Sequence, residues 1–310
     1  MTCLHMAPYF VPPLPRVATP APEVCPPAPA DPQTTSAAAP DAAPAVDPPA
    51  DPPAHQAADP LAIDPAVPVS AWAAERLDFH ADPFQQQILD TPTPRLALCC
   101  SRQSGKSTVA AVKGLHFAAA NPGSLILFAA PSSRQAVELL RKFRGFAERL
   151  LNGRVKSDPA FQDSILLPNG SRIIALPQSP ATIRGFSAPA LIIVDEAGFV
   201  EDEMFRALSP MLAVSNGQRW YLSTANGCTG EFHRVFTGDD QLWTRFKLTA
   251  DQCPRISAEF LAGERLALGQ QDFDREYMCV FSSSRYQYIP EQYILDAVCD
   301  PYEQLHGDKK

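Results

Sequence analysis

Long apolar runs are missing from this 310-residue sequence: nothing approaches 18 consecutive apolar residues, and Met1–Phe10 has no cationic stretch leading into an apolar one. Membrane spanning and export are therefore not expected. Paired cysteines are missing as well. The eight cysteines form no C-x-x-C repeat; Cys99 and Cys100 are adjacent in an apolar run, and Cys228, Cys253, Cys279 and Cys299 are scattered. That spacing argues against a zinc site and predicts reduced thiols. A surplus of positive charge is also lacking, with 26 Lys and Arg against 34 Asp and Glu and a net charge of −8, so composition offers no broad basic face. The deficit is uneven: residues 1–70 hold one cation, Arg16, against seven acids, a net of −6, which leaves only −2 elsewhere. A local basic patch for nucleic acid is not excluded.

What the opening segment has in excess is proline. Nineteen of the 33 prolines lie in the first 70 positions, among Ala and Asp, with few large apolar side chains. Such a segment cannot bury enough surface to offset its chain entropy and is expected to be a disordered tail with locally extended stretches. The folded part is then about 240 residues, enough for one sizeable core.

From Trp72 onward apolar runs alternate with helical stretches, the pattern of a mostly parallel sheet covered by helices. Arg95–Cys100 (RLALCC) predicts a strand, followed by a polar-glycine turn, Ser101–Gly105, and a small-residue helix over Lys106–Ala120 that stops at Asn121-Pro122-Gly123. Ser124–Ala130 predicts a second strand and Ser133–Leu151 an amphipathic helix. Asn169-Gly170, between Ser164–Leu167 and Arg172–Leu176, is a hairpin signal. Ala190–Val194 (ALIIV) has the continuous apolar character of a buried strand; Gln218–Ser223 and Thr244–Leu248 are further strands, and residues 251–310 are expected to be mainly helical.

Cys100–Ser107 reads C-S-R-Q-S-G-K-S, which fits the phosphate-loop pattern G-x-x-x-x-G-K-[ST] except where Cys100 replaces the first glycine. Its place between an apolar strand and a helix is what the chemistry requires. Gly105 lets the backbone approach phosphates, and successive N–H groups at the helix N-terminus form an anion cradle. Lys106 is positioned to neutralise β- and γ-phosphates, and the Ser107 hydroxyl to ligate Mg²⁺ beside ATP. Asp195 and Glu196 end the ALIIV strand, 89 and 90 residues after Lys106. Asp195 is the candidate Mg²⁺ ligand, and Glu196 the candidate general base.

Taken in order, these residues resemble the ATPase domain of the large terminase subunit of tailed bacteriophages, the motor that packages DNA into empty capsids. The resemblance covers roughly Ala74–Ala297. Members carry a deviant phosphate loop with an early arginine, matched by Ser101, Arg102, Gln103, Ser104, Gly105, Lys106, Ser107 and Thr108. Asp82-Pro83-Phe84-Gln85 is similar to the family's adenine-recognition motif, which assigns Phe84 and Gln85 to the base. Thr182-Ile183-Arg184-Gly185 is similar to its arginine-glycine motif, and Ser223, Thr224, Ala225 and Asn226 fall where its coupling motif lies. Phe273–Phe281 and Ser284–Ala297 look like its exit from the ATPase domain.

The fold this implies is α/β, a P-loop NTPase of RecA/ASCE type. It has a mostly parallel sheet with helices on both faces, preceded by the disordered Pro/Ala-rich tail. The expected domains are the tail at 1–70, the ATPase core at 71–250, and a helical subdomain with a shortened linker at 251–310. The ribonuclease-H-like nuclease that usually follows is expected to be absent; Asp296, Asp300 and Asp308 make no two-metal site by themselves. The implied activity is Mg²⁺-dependent ATP hydrolysis driving double-stranded DNA into procapsids, with the portal protein, the small terminase subunit and a homo-oligomeric ring as partners, in the host cytoplasm. Arg102 and Arg184 are both candidates for the arginine that stabilises the γ-phosphoryl charge, delivered in cis or in trans. A translocating motor grips DNA by phosphates, for which Arg134, Arg141, Lys142 and Arg144 are candidates beside a solvated-face reading. The alternatives are an idle prophage remnant or assembly module and a helicase-like ATPase, the latter needing a second motor domain.

Overall fold

In the computed structural model of the chain, residues 59–176, 183 and 185–282 are described, all within the unit Gln56–Lys310. Two helices open it, α1 (Val69–Leu77) and α2 (Pro83–Asp90). Pro83 supplies the first turn of α2 with a residue that needs no N–H partner, and Asp82 and Gln85 close a reciprocal capping box there. Strand β1 (Arg95–Cys100), helix α3 (Lys106–Ala120), strand β2 (Leu125–Ala129) and the Ser132-capped helix α4 (Ser133–Leu150) follow. The hairpin forms as β3 (Ser164–Leu166) and β4 (Arg172–Ala175), turned at Gly170 with φ +81°. Then come β5 (Leu191–Asp195), a short 3₁₀ turn Ala197–Phe199, α5 (Asp202–Leu208), β6 (Gln218–Ser223), α6 (Gly230–Thr237), β7 (Thr244–Leu248), α7 (Ala258–Leu268) and α8 (Gln270–Tyr277).

The strands form one seven-stranded sheet in the order β3-β4-β2-β5-β6-β1-β7, parallel except where β3 runs against β4. Continuous apolar runs arise because both faces are covered. Leu96, Leu98 and Cys100 pack with Val109, Leu115 and Phe143 of α3 and α4, whereas Ala97 and Cys99 pack with Met204, Phe205 and Phe232 of α5 and α6. Strand β6 lies between β1 and β5, with Cys99 beside Ser223 and Asp195 beside Leu222. The ends of these three strands therefore meet at one sheet edge, the place where open α/β sheets bind ligands.

Residues 59–70, which composition groups with the proline-rich opening, pack on this body. Leu61 is buried in the main core, with Ile63, Val67 and Val69 against it, and Arg76 donates to the Pro60 carbonyl at 2.7 Å. The rest of the opening, Cys3, Cys25, Cys299 and the 284–297 stretch lie outside the described residues. Cys99, Cys100, Cys253 and Cys279 are buried free thiols, and burial pushes Cys100 up to about 12. Among the described residues no helix is long and apolar enough to cross a membrane.

Candidate nucleotide site

The loop between β1 and α3 is set by two left-handed residues, Gln103 at φ 58° and Gly105 at φ 84°. Ser104 ties the turn by donating from Oγ to the Ser101 carbonyl at 2.7 Å, and Ser101 N–H extends the β7 ladder by donating to Leu248 O at 2.9 Å. A left-handed turn of this kind at a helix start is the backbone from which anion-binding nests are built. Gly105 is required on two counts. Its φ favours glycine, and a Cβ there would stand 2.8 Å from Gln85 Nε2 and 3.4 Å from Arg255 Nη2. Cys100, at the position of the missing first glycine, is a buried residue of β1 that packs into the core.

Two contacts join the loop to the carboxylates. Lys106 Nζ lies 2.9 Å from Glu196 Oε1, and Ser107 Oγ donates to Asp195 Oδ2 at 2.8 Å. The other Asp195 oxygen accepts Glu196 N–H at 3.1 Å. Burial alone would depress the Lys106 ammonium, but Glu196 and Asp195 outweigh it and hold the group above its ordinary value. Burial raises Asp195, a shift that Lys106 and the Ser107 hydroxyl partly oppose. Glu196 is itself left-handed, at φ 50°, a conformation that costs a non-glycine residue about 1–3 kcal/mol and that turns the chain sharply after β5. These groups border a cleft of about 760 Å³ lined by Arg102, Gln103, Gly105 to Thr108, Glu196, Phe199 and, from the α4 side, Gln135 and Lys142.

Ser107 and Asp195 offer a hydroxyl and a carboxylate, hard oxygen donors that suit Mg²⁺. Among the described residues no group of three or more His, Cys, Asp and Glu could hold a metal ion. The pair therefore fits a cation that takes its remaining ligands from phosphates and water.

The end of β6 grips the turn that follows Glu196. Gly198 N–H donates to Ser223 Oγ at 3.0 Å, and Asn226 Nδ2 donates to Gly198 O at 2.7 Å. A Cβ on Gly198 would meet Ser223 Oγ at 2.9 Å and the Thr224 carbonyl at 3.4 Å. Ser223, Thr224 and Ala225 are buried.

Of the residues expected at the base, Gln85 is buried with its amide over Gly105, while Phe84 packs edge-on against Phe246 with ring centroids 6.1 Å apart. Arg102 borders the cleft, but its Nε donates to Glu276 Oε2 of α8 at 2.8 Å, and that bond holds its guanidinium above the ordinary value. Arg184 and Thr182 lie outside the described residues. Of the four candidate cations on α4, Lys142 borders the cleft, Arg144 donates to Ser157 Oγ and to Ser164 O, Arg141 pairs with Glu138, and Arg134 is exposed. Sequence reasoning missed Arg255, which bonds both Asp82 and the Ser104 carbonyl, and Glu276. No motif marks Arg255, and nothing within Phe273–Phe281 singles out Glu276; their partners are 151 to 174 positions away.

Residues 98–293 match the family described as terminase large subunit, T4likevirus-type, N-terminal. The large terminase ATPase domain of Thermus phage P74-26 superposes with a TM-score of 0.62 at 22% identity, covering 69% of this chain and 99% of that one. The large terminase of a second, thermophilic bacteriophage superposes with a TM-score of 0.51 at 15% identity, covering 69% of this chain and 52% of the other, so the chain spans about half of that protein. A structure of the same thermophilic-phage terminase in complex with ADP gives 0.51 at 13% identity, covering 69% and 52%. These likenesses show the fold.

Proposed function

The chain belongs to the terminase large-subunit family, T4likevirus type, and from that premise we propose that it is an ATP-hydrolysing motor subunit that drives double-stranded DNA into procapsids. The observation that carries this is the paired contact across the sheet edge, Lys106 to Glu196 and Ser107 to Asp195. It holds a lysine, a hydroxyl and a carboxylate on the wall of one polar cleft, with the buried Asp195 carboxylate bonded directly behind them.

In this reading the triphosphate of ATP settles on the N–H groups of Gln103–Ser107, and its charge draws Lys106 away from Glu196. Glu196, released from its ion pair, orients the attacking water and accepts its proton as the water oxygen bonds to the γ-phosphorus and the bond to the ADP oxygen breaks. Ser107 and Asp195 would hold Mg²⁺, and the chemistry it would supply there is positive charge against the phosphates. The resting ion pair is thus a guard: without phosphates to compete for Lys106, the base is occupied. Gln85 reads the base beside Gly105. Arg102 and Arg184 remain the proposed sources of the cation that stabilises the γ-phosphoryl group, and Arg102 must leave Glu276 to serve. Because Gly198 is bonded to Ser223 and Asn226, a shift of Glu196 at hydrolysis would be felt at the end of β6, the proposed coupling route to DNA.

Family membership favours this reading over a helicase or an idle module. The proposed partners are duplex DNA gripped by its phosphates, the portal protein, the small terminase subunit and further copies of the chain in a ring. The test is steady-state ATP hydrolysis with Mg²⁺, with and without duplex DNA and the small subunit. Turnover that Lys106→Ala and Glu196→Ala abolish is expected; no such turnover under any of these conditions overturns the motor reading.

A further inference from the structure

Arg255 follows β7 in a turn closed by the bond from Ile256 N–H to Cys253 O at 3.0 Å, with Cys253 buried beneath it. It belongs to none of the motifs described above, and the residues it bonds lie 151 and 173 positions away. Its two terminal nitrogens go to different places: Nη1 pairs with Asp82 Oδ2, and Nη2 donates to the Ser104 carbonyl. The other oxygen of Asp82 accepts Gln85 N–H at 2.9 Å, and Asp82 N–H donates to Gln85 Oε1 at 3.1 Å. With both its side-chain oxygen and its N–H bonded to Asp82, Gln85 has its amide Nε2 beside Gly105, 2.8 Å from where a Cβ would stand. An unbroken chain of polar contacts therefore runs from Gln85 through Asp82 and Arg255 to the peptide that precedes Gly105.

We infer that Arg255 is a positioning residue that locks α2 to the phosphate loop, so that recognition of the purine and the setting of the loop are a single event. Arg255 bridges a carboxylate and a carbonyl at once. Only a planar fork of donors does this; a lysine's single ammonium cannot reproduce both bonds in the same geometry. Carbonyls such as that of Ser104 would repel the phosphates if they turned inward, and Arg255 keeps this one facing away from the cleft. When a base engages Gln85, the strut carries its position to the loop that holds the phosphates. A nucleotide whose base Gln85 does not match leaves the loop less well set. Arg255 thereby acts on selectivity without touching the reacting atoms.

This inference rests on the ATPase reading above, and its test separates the two. The kcat/KM values for ATP and GTP are measured on the full chain for wild type, Arg255→Ala and Arg255→Lys, with melting temperatures alongside. Wild type is expected to prefer ATP. Arg255→Ala should cut that preference by about tenfold, mostly through KM for ATP, and Arg255→Lys should fall between. Tripolyphosphate, which has no base, should compete with ATP more effectively in Arg255→Ala than in wild type. Absence of wild-type turnover would sink the ATPase reading. If wild type turns over without preferring ATP, or if Arg255→Ala slows ATP and GTP equally, the inference is overturned and Arg255 is only a structural brace.

Discussion

Lys106 and Lys113 stand seven residues apart on α3 and are buried alike, with 8% and 7% of their surface exposed, yet their surroundings differ in kind. Lys106, at the C-terminal edge of the strands, meets Glu196 and lies near Asp195, and those carboxylates keep it charged. Lys113, at the other end of the sheet, donates to the carbonyls of Leu89 and Thr91 at 2.7 and 2.9 Å and lies over the Trp220 ring. Burial pulls it down to about 8, opposed only by Asp90. Burying an ammonium costs the same solvation at both places. At one end that cost is offset by two carboxylates, one of which borders the cleft, an arrangement that anionic phosphates would displace in the proposed mechanism. At the other it is met by closing the last turn of α2, where no ligand is called for. In the proposed mechanism the difference separates a buried charge that serves the chemistry from one that closes a helix end.

Exchanging the two lysines' side chains for neutral ones gives the largest contrast. Lys106→Ala should lower ATP turnover by a factor on the order of 10³ or more, whereas Lys113→Met should leave kcat within about twofold. Equal losses in a steady-state assay would erase the distinction. Next in size, Gly198→Ala pushes a methyl group against Ser223 and should reduce DNA-stimulated turnover by about tenfold, with nucleotide affinity changed by less than about threefold. A matched loss of ATP binding, read by calorimetry, would place Gly198 in the binding site and not in the coupling route.

Stability should divide the same way. Lys113→Met leaves two carbonyls without their donor and should lower the melting temperature by several degrees, at roughly 1–3 kcal/mol for each unsatisfied buried group. Asp195→Asn should raise it by up to a few degrees while abolishing turnover. Burial lifts the Asp195 carboxyl above its ordinary value, so in the window between the two values the native state holds more protons than the unfolded chain. Stability falls as pH rises through that window, and the ionised carboxylate remains a burden at neutral pH; a melting temperature lowered by Asp195→Asn would contradict this. The smallest effect belongs to pH. Between about 8 and 10.5 the unfolded chain holds a proton on Lys113 that the folded chain has released, so this residue's contribution makes stability climb with pH there, and Lys113→Met should remove that slope in denaturant titrations.

Most of the sheet, and the residues that meet at its edge, could be read from the chain itself. Runs such as RLALCC and ALIIV announce strands because a sheet covered on both faces needs no polar alternation, and the loop chemistry restricts Gly105, Lys106 and Ser107 to a short stretch of sequence. The packing of Leu61, Ile63, Val67 and Val69 was hidden because four apolar residues diluted among prolines leave no periodic signal. Arg255 and Glu276 were hidden for a different reason. An arginine that bonds two partners 151 and 173 positions away looks, in sequence, like any exposed arginine. Gly198 likewise reads as a turn glycine until β6 is set beside β5 and its end closes on that turn.

In the proposed mechanism Lys106 and Glu196 restrain one another until phosphates intervene, and Glu196→Gln probes that restraint when ATP binding and single-turnover hydrolysis are measured on the same protein. Neutralising Glu196 removes the group that competes for Lys106. ATP should therefore bind at least as tightly as to wild type, while hydrolysis falls by about 10²–10⁴-fold. Hydrolysis at the wild-type rate, or loss of ATP binding in Glu196→Gln, would contradict the account.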